Sequence, residues 1–167
     1  MSNIWGEFRK TRRCTPAGRR SFAGATRYAK IVSVYDGDTI TVATRLTRRE
    51  PFYEYAVRIA GIDTPELRPS RSDPNADMHG EAGYRVRDYV RRMLPVGSAA
   101  RIAFDKEAKY GRLLGTVWTL RNRMWRSPHP QTDVGQHLVD MRYALPYDGK
   151  AKAGFTPEML GSIIAAL

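Results

Sequence analysis

Between residues 28 and 62 apolar and polar positions alternate in short runs, with the two-residue period of half-buried strands. Residues 28–34, 39–44 and 53–62 are predicted as three strands, the second rich in β-branched residues. Asp36-Gly37 between the first two is a hairpin-turn signal, and residues 45–51 form a charged loop. In the third run Tyr53, Tyr55, Val57 and Ile59 share one face, so Arg58 belongs to the other. Thr64-Pro65 ends that strand, and a loop rich in Pro, Ser, Arg and Asp follows over 67–78. The period then changes. Ala82, Val86, Val90, Met93 and Leu94 repeat at helical spacing, with Arg85, Asp88 and Arg92 facing out, which predicts a helix over 81–94 stopped by Pro95-Val96-Gly97. Residues 100–104 and 113–120 read as two more strands, and Arg121-Asn122 as a turn into a short strand at Met124-Trp125. A helix over 133–141 would present Val134, Leu138 and Met141, and Thr156-Pro157 is a cap and first-turn pair for a last helix to Ala166.

Three strands, a helix, two strands and two helices make an α+β chain. Five strands interrupted by a helix suit an OB-fold-like β-barrel with about three α-helices. Residues 1–27 show no period. They hold Arg9, Lys10, Arg12, Arg13, Arg19, Arg20 and Arg27 against the single acid Glu7, which predicts a basic N-terminal arm ahead of a domain over 28–167. Phosphate contact and a solvated tail are both open for that arm.

Charge narrows the partners. Of 167 residues, 28 are Lys or Arg and 17 Asp or Glu, a formal net charge of +11, and this field attracts a polyanion. Nucleic acid is the leading partner, ahead of an anionic membrane. Cys14 is the sole cysteine, which excludes an intramolecular disulfide. The apolar stretch 163–167 is too short to span a bilayer and the N-terminus lacks an apolar run of signal-peptide length, so a soluble, intracellular protein without a membrane partner is expected. His79, His129 and His137 lack zinc-ligand spacing and are expected at the surface or as caps.

Phosphodiester hydrolysis needs an activated water, positive charge on the transition state and help for the leaving oxygen. Carboxylates hold hard cations or orient water, and arginines grip phosphate oxygens in a planar fork. Asp38 opens the second predicted strand and Asp63 closes the third, so an antiparallel meander sets the two acids at the same end. Glu66 follows Asp63 through a proline-stiffened turn, Arg58 stands upstream on the same strand, and Arg112 comes from the separate Tyr110-Gly111-Arg112 turn. Singly, Asp36-Gly37 and Asp63-Thr64-Pro65 are ordinary turn sequences. Together with Arg58, Glu66 and Arg112 they exceed what turns require.

These four motifs, Asp36-Gly37-Asp38-Thr39, Arg58, Asp63-Thr64-Pro65-Glu66 and Tyr110-Gly111-Arg112, stand in the order found in the staphylococcal nuclease, or thermonuclease, family, which the chain resembles over about residues 28–147. The resemblance implies a calcium-dependent, largely sequence-nonspecific endonuclease acting on DNA, with RNA as a further substrate, leaving 3′-phosphate ends. It implies Asp38, Asp63 and the Thr64 carbonyl as calcium ligands, with other divalent cations open. Glu66 would be the general base or water-positioning group, and Arg58 and Arg112 would bind the scissile phosphate. Lys109, Tyr110 and Tyr147 would line the nucleotide pocket. The chain departs from the pattern in a shorter loop before Tyr110, in Ala108 where an acid is common, and in its basic arm. The alternative is a catalytically silent nucleic-acid-binding or packaging protein of the same fold. Viral, nucleoid or nuclear association fits either, and no obligate protein partner or oligomeric state is signalled.

Overall fold

The computed structural model describes residues 15–16, 22–107, 112–120 and 132–167. Five strands carry the fold: β2 (Thr26–Val34), β3 (Thr39–Thr44), β4 (Tyr53–Ile59), β6 (Ala99–Glu107) and β7 (Leu113–Thr119). Antiparallel neighbours run β4–β3–β2–β6–β7, and a parallel pairing of β4 with β7 closes the barrel, with Val57 opposite Leu113 and Ile59 opposite Gly115. This is the expected OB-like topology. Closure removes the free edges that an open sheet would expose. A two-residue strand, β1 (Thr15–Pro16), pairs with the part of β4 that β7 leaves uncovered.

Alternation explains the barrel interior. In β4 and β7 every second residue is buried, which sends Tyr55, Val57 and Ile59 inward and turns Arg58 to the other side. Ile31, Ile40, Val42, Val57 and Ile102 are at most 1% exposed. Burying such a side chain contributes roughly 1.5–3 kcal/mol relative to leaving it in water.

The domain begins earlier than the composition change at residue 28. Phe22 is 1% exposed, packs edge-on against Tyr55 at 4.7 Å between ring centroids, and belongs to the core, while Thr26 and Arg27 already pair in β2. Two element boundaries also differ from expectation. The third predicted strand is broken, because Gly61 adopts φ +79 and turns the chain from β4 into a separate short strand β5 (Ile62–Asp63). The first helix, α1 (Ala76–Met93), starts five residues before the predicted 81 and absorbs the end of the expected loop. Its buried face is the predicted one, Ala82, Val86, Val90 and Met93.

In α2 (Val134–Asp140) the Asp133 carboxylate accepts from Gln136 N and caps the first turn. Met141, expected on its apolar face, is 45% exposed, since the helix ends at Asp140 and the chain turns away through Arg142 at φ +60. His137, in the last turn of this helix, is half-buried, and its Nε2 lies 2.7 Å from Tyr89 Oη. In α3 (Pro157–Ala166) Thr156 Oγ1 accepts from Met159 N, and the helix packs on α1. Finally β8 (Leu145–Pro146) pairs with β5, tying Asp63 to the segment that carries Tyr147. No helix among the described residues is long and apolar enough to cross a membrane. The turn and strand expected at 121–125 lie outside the described residues, as do Cys14 and His129.

Candidate functional site

The barrel geometry delivers the two acids to one place. Thr39 pairs with Arg58 across β3 and β4, and Ile59 N donates to Asp38 O at 2.7 Å, so the start of β3 lies beside the end of β4. The connection between β2 and β3 is held tightly against its neighbours. A Cβ on Gly37 would fall 2.8 Å from the Thr64 side chain and from Val86 Cγ1. Glycine is required here for close approach rather than for a left-handed turn, since its φ is not positive. The turn thereby rests directly on the Asp63-Thr64-Pro65 segment. On the far side of that segment Gly83 of α1 does the same, for its Cβ would meet Pro65 O at 2.8 Å and the Glu66 carbonyl at 3.0 Å.

Arg58 bridges the two acids. Its Nη1 donates to Asp38 Oδ1 at 2.9 Å and its Nη2 to Asp63 Oδ1 at 3.1 Å. Asp38 also accepts from Thr39 Oγ1 at 2.9 Å, and its backbone N–H donates to Asp36 Oδ1. Asp38 and Asp63 are buried, at 3% and 6% exposure, while the Glu66 side chain is 53% exposed. Burial, aided by the neighbouring Asp36 carboxylate, pushes the Asp38 carboxyl up to about 7 against the opposing pull of the Arg58 guanidinium.

A cavity of about 210 Å³ opens over this cluster, lined by Asp38, Arg58, Asp63, Thr64 and Glu66 among others. Five of the nine expected residues are therefore brought together. Tyr147 stands beside them: the Arg58 guanidinium carbon is 5.8 Å from its ring centroid, and Tyr147 N donates to Gly61 O at 2.9 Å. Arg112 leads into β7 and does not line the cavity. Its Nε is buried and has no hydrogen-bond partner among the described residues. Lys109 and Tyr110, together with Ala108 and Gly111, lie outside the described residues.

One cavity residue was invisible in the sequence pattern. Lys152 Nζ sits 3.1 Å from Asp63 Oδ1 and 3.1 Å from Glu66 Oε1. These two carboxylates raise the Lys152 pKa, outweighing the desolvation that opposes them. Asp36 and Arg68 complete the charged lining, giving four carboxylates against three cations.

Among the described residues no three His, Cys, Asp or Glu side chains are grouped to hold a metal ion. Asp38 and Asp63 are the two buried carboxylates of the cavity, and oxygen donors of this kind are the type that hard divalent cations take.

No family model matches the sequence. Over 132 residues the chain is 32% identical to Protein ParB of Escherichia coli, an alignment covering 78% of this chain and 63% of that protein. The chain thus spans less than two thirds of the length of the curated relative it matches.

Proposed function

We propose that the chain is a divalent-cation-dependent phosphodiesterase that cuts nucleic acid, DNA first and RNA as a second substrate, with little regard for sequence. The observation that carries this reading is the convergence of Asp38, Arg58, Asp63, Thr64 and Glu66 on one cavity at the mouth of an OB-like barrel. In that fold the loops between strands one and two and between strands four and five bind oligonucleotides. Here the first of these loops carries Asp36 and Asp38. The resemblance to the staphylococcal nuclease family supports the same assignment and favours calcium.

Asp38, Asp63 and the Thr64 carbonyl would hold the cation, which when bound supplies positive charge against a phosphate oxygen. Arg58 then has its two acids partly neutralised and offers its fork to the phosphate. Glu66 is the exposed carboxylate of the set and would accept the proton as a water attacks phosphorus; the bond to the 5′ oxygen breaks, and that oxygen takes a proton from solvent to leave as a hydroxyl. Arg112 is assigned to the growing charge on the phosphate by the family resemblance alone, since it does not line the cavity. Lys109, Tyr110 and Tyr147 are assigned to the nucleotide beside it.

Purified protein is expected to nick supercoiled plasmid and degrade single-stranded RNA in calcium, and to stop in chelator. Glu66→Gln is expected to slow cleavage by about 10²–10³-fold with little change in nucleic-acid affinity. Equal rates for Glu66→Gln and wild type would sink the catalytic role.

A specific observation favours a second reading, a binding protein without turnover. Glu66 is ion-paired to Lys152, and Arg58 to both acids, so the charged set satisfies itself. Tight binding of DNA with no cleavage in calcium, magnesium or manganese would establish that alternative.

A further inference from the structure

A second cavity, of about 380 Å³, adjoins the first. The two share Asp63, Thr64, Glu66 and Lys152 as a common wall. Its other side is built by the loop ahead of α1, through Pro69, Ser70, Asp73 and Asn75, and by His79 and Phe155. Phe155 stands perpendicular to the His79 ring at 6.0 Å between centroids. The loop is pinned locally: Asn75 N donates to Asp73 Oδ1 at 2.8 Å, and Ser70 Oγ lies 2.8 Å from Ser72 Oγ.

We infer that this second cavity is a subsite for the base and sugar of a nucleotide next to the scissile phosphate. The inference rests on the phosphodiesterase reading of the first cavity and adds where the neighbouring nucleoside goes. Three observations carry it. The cavities are contiguous, so a strand with its phosphate over Asp38 and Arg58 continues over the Glu66–Lys152 wall into the second. The lining is wrong for a phosphate, because Asp63, Glu66 and Asp73 face a single lysine and no arginine. It is right for an uncharged aromatic ligand, with the Phe155 ring, the His79 ring and the short polar side chains Ser70 and Asn75 around a space of the size small-molecule sites occupy. Lys152, at the boundary, is placed to meet the phosphate that joins the two nucleotides once it leaves Asp63 and Glu66.

The test uses the full chain and short single-stranded oligonucleotides with one cleavable phosphodiester. One series is intact. In the other the base on one side of that bond, or on the other, is deleted to leave an abasic sugar. A control substrate carries a methyl ester in place of the flanking nucleoside. For wild type, removing the base on one side is expected to lower kcat/KM by about 5- to 100-fold, mainly through KM, which is the worth of one base–aromatic stack. Phe155→Leu, which keeps apolar volume against the core, is expected to show the same loss on the intact oligonucleotide. It should show no further loss on the abasic one and an unchanged rate on the methyl ester. Indifference of wild type to both abasic positions overturns the subsite, and so does an equal loss for Phe155→Leu on all three substrates. If wild type cuts none of them, the phosphodiesterase reading fails, and fluorescence anisotropy with the same oligonucleotides decides the subsite alone: weaker binding of one abasic strand, abolished as a difference in Phe155→Leu, supports it, and equal binding rejects it.

Discussion

Asp38 shows at the residue scale how burial turns a turn residue into a chemical one. Its carboxyl is almost fully enclosed, next to Asp36, and burial pushes it up to about 7. A carboxyl whose folded-state value lies above its unfolded value of 3.8 contributes stability that is fully present below about pH 4 and lost as pH rises towards 7, because the folded state must then either keep a proton or bury a charge. Asp38→Asn stays neutral throughout. In chelator, urea unfolding at pH 4, 5.5 and 7 should therefore show the variant gaining on wild type by on the order of 1–3 kcal/mol over that interval. Parallel pH profiles for the two proteins would refute the assignment. Calcium at neutral pH should reverse the ranking by stabilising wild type more than the variant. The acid itself was legible in the sequence, since the meander argument alone brought Asp38 to Asp63. Lys152 was not, because it lies 86 residues along the chain from Glu66 in a segment with no hydrophobic period. Only the fold makes them neighbours.

At the scale of elements, the site depends on how closely α1 and the β2–β3 connection pack on the Asp63–Glu66 segment. Gly83 makes the test. Alanine in a helix interior is ordinarily worth about 1 kcal/mol over glycine. Here the added Cβ would lie 2.8 Å from Pro65 O and 3.0 Å from Glu66 backbone atoms, which cannot rotate away as a flexible side chain can. The clash is expected to win. Gly83→Ala should lose about 1–3 kcal/mol in thermal or denaturant unfolding despite its better helix propensity, and should lower cleavage by displacing Glu66. A variant more stable than wild type would show that the segment gives way freely. Gly83 sits inside a helical pattern and Gly37 inside a hairpin signal, so the sequence explained both glycines by the wrong cause or not at all. Periodicity reports which face of an element is buried. It does not report how near the next backbone comes. The same limit explains the helix start: Ala76, Asp77, Met78, His79 and Gly80 contain too few apolar residues to show a period, yet they are helical from Ala76 onward.

For the whole molecule, the strand order was legible because alternating strands, one crossover helix and short connections leave few ways to close a barrel. The antiparallel pairing of β3 with β4 then places the β2–β3 loop and the end of β4 at one mouth. Around that mouth the charge is mixed, while the chain as a whole carries +11. On the proposed function, the cationic excess would meet the nucleic acid elsewhere. Residues 1–13 hold Arg9, Lys10, Arg12 and Arg13, whereas Phe22 and Thr26 are built into the barrel. A truncation that tests the arm should end before β1 at Thr15, since removing residues 1–27 would also strip Phe22 from the core. Each phosphate contact releases a condensed counterion and steepens the fall of log K with log salt by roughly 0.9 for duplex DNA. Deleting residues 1–13 is expected to reduce that slope by about 3–4 and to weaken binding at low salt. Nicking of plasmid under saturating protein should persist, because Asp38, Arg58, Asp63 and Glu66 remain in place. An unchanged salt slope would identify the four cations as a solvated extension and return the electrostatic role to the folded domain, where Arg85, Arg87, Arg91 and Arg92 on α1 are the next basic face to test.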